Sequence, residues 1–181
     1  DVYKRQGYRF IVVEGDWAAL YKLNLYVKGL STDYSNARDV LRTLDRWPEW
    51  MWGNTEVEAL AEWLHSYNKE LPIEQRIGFY GMDVYGQWEA MENVLGYAKE
   101  VIPERYEEIS KAFECFTAFD QDEWRYARAV QRGYSSCFDT LDYIVSILHE
   151  KKELITDPHE RKALQHAKQS AIVVRNAEDY Y

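Results

Sequence analysis

Cysteine is almost missing from this chain, with two in 181 residues. Cys115 and Cys137 are too few for a disulfide scaffold, and neither lies in a C-x-x-C pair. Each is expected as a buried thiol in a helical stretch. Only four prolines occur, and each marks a break: Pro48 in an aromatic loop, Pro72 after a helix, Pro103 at a change of pattern and Pro158 at a helix start. No run of about 18 apolar residues exists, so no membrane-spanning helix is expected. Positive charge is in short supply, 22 basic against 31 acidic residues for a net −9. Nucleic acid and anionic membranes both demand a cationic face, and neither is expected as a partner.

Several chemical signatures are also missing. There is no Gly-rich phosphate loop and no G-x-S-x-G elbow, which argues against a nucleotide enzyme or a serine hydrolase. His65, His149, His159 and His166 form no metal-binding spacing, and a solvated surface position is expected for each. No cofactor and no metal are expected. The chain has neither an initiator Met nor a signal peptide with a basic start and apolar middle, so a cytoplasmic address is the default.

What is present describes a globular domain. Hydrophobic residues make up 46% and aromatic ones 15%, too many for a disordered chain. Residues 10–13 form a short β-branched run, expected as a strand buried on both faces. Residues 17, 20, 21, 24 and 27 recur at helical spacing, with Asp16 as N-cap and Gly29 as stop. A short helix capped near Ser35 or Asn36 should reach Leu44. Thr55 and Glu58 suggest a capping box for a helix running to about residue 70. A second strand is expected at 76–80 and a helix at 87–101. Beyond Pro103, residues 130, 134, 137, 141, 144 and 148 form a helical seam. Asp157 then caps a last helix whose face carries Leu164, Ala167, Ala171 and Val174. Residues 1–6 read as a non-native remnant. A strand–helix part (7–102) then leads into a helical part (103–181) of one α/β domain, with a partial parallel sheet and flanking helices.

Both expected strands end near a carboxylate. Ligands of open α/β sheets sit beyond the carboxyl ends of the strands, so Glu14 and Asp83 should project into one site. Glu14, directly after the apolar run, suits general acid–base work, or else pairs with an Arg or caps the following helix. Asp83 suits orienting a base, binding a hydroxyl, or capping. Trp47, Trp50 and Trp52 suit either an apolar ligand wall or a loop packed on the core. Asn54 suits a cap, or a bond to ligand.

In this order, several segments resemble the erythromycin esterase family. They are Val12-Val13-Glu14-Gly15-Asp16-Trp17, the block from Arg46 through Trp52-Gly53-Asn54-Thr55-Glu56-Val57, Gly78-Phe79-Tyr80-Gly81-Met82-Asp83-Val84-Tyr85, and Val174-Arg175-Asn176-Ala177-Glu178-Asp179-Tyr180-Tyr181. The resemblance implies a hydrolase with a central sheet and a large helical insertion, whose best-known members open macrolide lactones and so confer antibiotic resistance. It implies water activated by a His base with Glu assistance and no covalent serine intermediate. Glu14 matches an active-site glutamate. Trp17, Trp52, Asn54, Asp83 and Tyr85 are the expected substrate-binding residues for an apolar ester or lactone. The family's G-E-x-x-H-G segment belongs upstream of Glu14 and a further His downstream of Tyr181. The chain is therefore expected to be an internal, inactive fragment. A binding protein holding an apolar ligand in the same cleft is the alternative.

Overall fold

The structure is a computed structural model that describes residues 6–45, 49–84, 86–151 and 157–180. Trp47 and Tyr85 lie outside the described residues. Two compact units result, Asp1–Asp83 and Val84–Tyr181.

In the first unit, β1 (Phe10–Asp16) pairs in parallel with β2 (Gly78–Asp83). Parallel neighbours need a long crossover, not a tight turn. Here it consists of α1 (Trp17–Val27), α2 (Ala37–Leu41), the single turn α3 (Glu49–Trp52) and α4 (Thr55–Lys69). Side chains alternate across a strand. Ile11 and Val13 of β1 pack with Phe79 of β2 against Leu20, Leu23, Val40, Val57 and Leu64. Phe10 and Val12 face outward at 63% and 47% exposure. Burial of β1 on both faces is therefore corrected to one face, because the helices of this unit share a core with that face alone.

Side-chain amides fix how β2 sits. Asn24, buried in α1, accepts the Phe79 N–H at 3.1 Å. Asn68, buried in α4, donates to the carbonyls of Val27 and Ile77 at 2.7 and 2.9 Å and accepts the Ile77 N–H at 2.8 Å. A buried backbone group left without a partner is costly, and these two amides supply partners where, among the described residues, no third strand does.

The second unit is helical: α5 (Gln87–Val101), α6 (Tyr106–Ala112), a tighter 3-10 stretch Phe113–Phe119, α7 (Glu123–Gln131), α8 (Phe138–Glu150) and α9 (Pro158–Tyr180). α9 packs along α5 and α8. Its Leu164, Ala167, Ala171 and Val174 are buried, as their spacing requires. The Asp157 carboxylate accepts the Glu160 N–H at 2.9 Å, the cap expected there.

Two expectations fail in this unit. The seam from 130 to 148 is broken between α7 and α8, where Gly133 takes a left-handed φ of 97°. Cys115 and Cys137 are joined as a disulfide, not held as separate thiols. The junction is closed by Glu178 of α9. Its buried carboxylate accepts the Tyr126 hydroxyl at 2.6 Å, the Ser136 hydroxyl at 2.5 Å and the Cys137 N–H at 3.1 Å. Burial, then that Glu178 bond, pushes the Tyr126 hydroxyl far up, so it remains a donor at any ordinary pH. Among the described residues no helix is long and apolar enough to cross a membrane.

Candidate functional site

The carboxyl ends of β1 and β2 carry the expected acids, with one change in register. β1 continues past Glu14 to Asp16, and an irregularity between Val13 and Asp16 makes Asp16 the partner of Asp83. Glu14 thus sits inside the bulge and not at the tip. Its side chain is exposed on the open face that also carries Phe10 and Val12. Through this irregularity Asp16, and not Glu14, stands opposite Asp83 in the ladder.

Small residues make the bulge possible. A Cβ on Gly81 would fall 2.5 Å from the Asp16 carbonyl oxygen, and nearer still to that of Gly15. A Cβ on Gly15 would meet Leu20 Cδ1 at 2.7 Å and the Trp52 indole nitrogen at 3.0 Å. The Trp52 Nε1–H donates to the Glu14 carbonyl at 2.7 Å, and its ring meets Phe79 edge-on, 6.1 Å between centroids. Trp52 therefore ties the α3 turn to the backbone of Glu14.

Asn54 is the N-cap of α4, one residue ahead of the expected capping box. Its Oδ1 accepts the Val57 N–H at 2.9 Å, while its Nδ2 donates to the Met51 and Trp50 carbonyls at 2.8 and 3.2 Å. Asp16 holds the N-cap position of α1 without a side-chain capping bond. Trp17 stacks on Tyr80 at 5.8 Å with 9° between the planes, and meets Tyr21 at 5.8 Å. Lys28 Nζ donates to the Tyr80 hydroxyl at 2.8 Å. Burial, reinforced by Tyr80, raises Tyr21 to about 12, so it stays protonated. Tyr21, Tyr80 and Lys28 were not singled out from the sequence; the spacing of four between Trp17 and Tyr21 was the available signal.

No described histidine stands at this end of the unit. His65 stacks on Tyr26 at 4.5 Å, and its Nδ1 lies 2.7 Å from the Tyr26 carbonyl oxygen, at the far end of α1 from Glu14. Tyr26 donates to Glu62 at 2.9 Å and is raised to about 12 by burial and by that carboxylate. His166 belongs to the second unit, where burial lowers it to about 4. Solvation fits His149 alone; His65 and His166 are partly buried, and the His159 side chain is outside the described residues. No group of three or more His, Cys, Asp or Glu among the described residues is placed to hold a metal.

Two solved structures share the fold. One is a succinoglycan biosynthesis protein, 18% identical, with a TM-score of 0.69 over 98% of this chain and 40% of that one. The other is a Bacillus cereus protein, 17% identical, with a TM-score of 0.69 over 98% of this chain and 41% of that one. The present chain thus spans about two-fifths of their lengths. The family model for erythromycin esterase matches residues 3–181, essentially the whole sequence. By that match the chain belongs to the erythromycin esterase family.

Proposed function

We propose that these residues form part of a hydrolase that opens a lactone or other carboxylic ester with activated water. The observation that carries the reading is the exposed Glu14 carboxylate, on a backbone pinned by Trp52. An anionic carboxylate in that position orients a water, or holds an imidazole in the tautomer that accepts the water's proton. The water oxygen then bonds to the acyl carbon, the acyl–oxygen bond breaks, and the proton passes to the departing alkoxide. Within the first unit His65 is not that imidazole, since it is engaged with Tyr26 at the far end of α1.

Trp17, Trp52 and Asp83 would contact an apolar ester, a macrolide among the candidates, in a cytoplasmic antibiotic-inactivating enzyme. The test is incubation of the intact gene product with a macrolide and with simple aryl esters, followed by mass spectrometry. Addition of one water to any of them supports the reading; unchanged mass across the set removes it. The open apolar face of Phe10 and Val12 favours one rival, a protein that retains an apolar ligand unchanged. Recovery of intact ligand from the complex would select that rival.

A further inference from the structure

The α3 turn carries two indoles that do different work. Trp52 is committed to the Glu14 carbonyl, whereas Trp50 is 65% exposed. Residues two apart on a helical turn point about 200° apart, so the side of Trp50 faces away from Glu14. On that side a cleft of about 540 Å³ lies between α2 and the α3–α4 junction. Its volume falls in the range that small-molecule sites occupy.

Leu41 and Leu44 give the cleft an apolar wall, and the Trp50 indole is part of its lining. Two guanidinium groups and one carboxylate line it: Arg38, Arg42 and Glu58. Arg38 Nε is paired with Glu58 at 3.1 Å, so those charges are spent on each other. No ion pair or hydrogen bond engages the Arg42 guanidinium among the described residues. The lining therefore carries an unmatched positive charge in a chain whose net charge is −9. The first residue of α4, Thr55, also lines the cleft, but its hydroxyl donates to Glu56 at 3.0 Å and Glu56 and Glu58 already fill that first turn, so the attraction for an anion rests on Arg42 and not on the helix end.

We propose that this cleft is a binding site for a small organic anion with a flat apolar group, separate from the Glu14 face. The anion, a carboxylate or another planar oxyanion, pairs with the Arg42 fork. The apolar group lies between Trp50 and the two leucines. Arg42, the one guanidinium without a partner among the described lining residues, sets the ligand's charge, and nucleic acid or another polyanion would find too little there to neutralise.

The test uses 2-naphthoate and its neutral analogue 2-naphthylmethanol, measured by calorimetry on the full chain at low ionic strength. Naphthoate should bind in the submillimolar range, at least about tenfold more tightly than the alcohol. Arg42→Gln should erase that difference, Arg42→Lys should keep part of it, and Trp50→Ala should weaken both ligands together. Both side chains are solvent-exposed, so the variants should fold, and Glu14→Gln should leave naphthoate binding unchanged. Absence of naphthoate binding, equal binding of acid and alcohol, or indifference to Arg42→Gln each overturns the proposal.

Discussion

Trp52 and Glu14 are joined through the backbone: the indole N–H donates to the Glu14 carbonyl at 2.7 Å. The bond leaves the Glu14 side chain exposed and free to act, while fixing where its backbone lies.

Replacing Trp52 by Phe keeps a ring against Phe79 but removes that donor. The expected cost is about 1 kcal/mol, because a net hydrogen bond is worth about that much. Urea unfolding of the variant measures it. A loss in turnover of the full-length enzyme larger than the loss in stability would show that the bond positions Glu14.

The bulge makes a second prediction. Gly81→Ala drives a methyl into the Gly15 and Asp16 carbonyls and should destabilise by about 3 kcal/mol, since backbone cannot yield as a side chain would. Gly96→Ala is the control. Gly96 lies inside α5 with nothing within 4 Å of an added Cβ, and should stabilise by about 0.5–1 kcal/mol through helix propensity. Thermal melts of the two variants should move in opposite directions.

His166 predicts a pH effect in the second unit. Burial lowers it to about 4 from an ordinary 6.5. Between those values the unfolded chain binds a proton that the folded chain does not, so stability rises with pH. His166 withholds no stability above about 6.5, and its penalty grows as pH falls towards 4. Each tenfold loss of proton affinity corresponds to ~1.4 kcal/mol, which sets an upper bound of ~3.5 kcal/mol on that penalty. Comparison of denaturant midpoints at pH 7 and pH 4.5 should show a smaller decline in His166→Gln than in the parent.

Reducing the Cys115–Cys137 disulfide, which spans a sequence separation of 22, should cost about 3 kcal/mol by freeing the unfolded chain. Melts with and without reductant measure that cost. Thiol alkylation before lysis then bears on the cytoplasmic proposal. Disulfides persist mainly in oxidising compartments, so free thiols in cells fit a cytoplasmic address and blocked ones oppose it.

The elements that showed in the sequence are those governed by local rules. The helix from Trp17 to Val27, that from Gln87 to Val101, and the Asp157–Pro158 start carry their own periodicity, caps and breakers, and all three appear as read. Features set by tertiary pairing did not show. Phe10 to Val13 has the composition of a doubly covered strand, yet which faces are covered depends on distant helices. The offset that pairs Asp16 with Asp83 depends on an irregularity between two strands far apart in sequence. His65 and Tyr26 share a stack across 39 positions, which no local spacing reveals. The apolar run ahead of it and the family motif both pointed to Glu14, but its exposure required the fold.

The most direct test of the account is turnover by the full-length enzyme carrying Glu14→Gln, assayed on whichever ester or lactone the parent hydrolyses. Glutamine keeps the shape and removes the charge, and an exposed site should tolerate it without loss of fold. The account predicts unchanged circular dichroism and melting with a fall in kcat of about 100-fold or more, the scale of a positioned acid–base group. Parent-like kcat with an intact fold would contradict a catalytic role for Glu14.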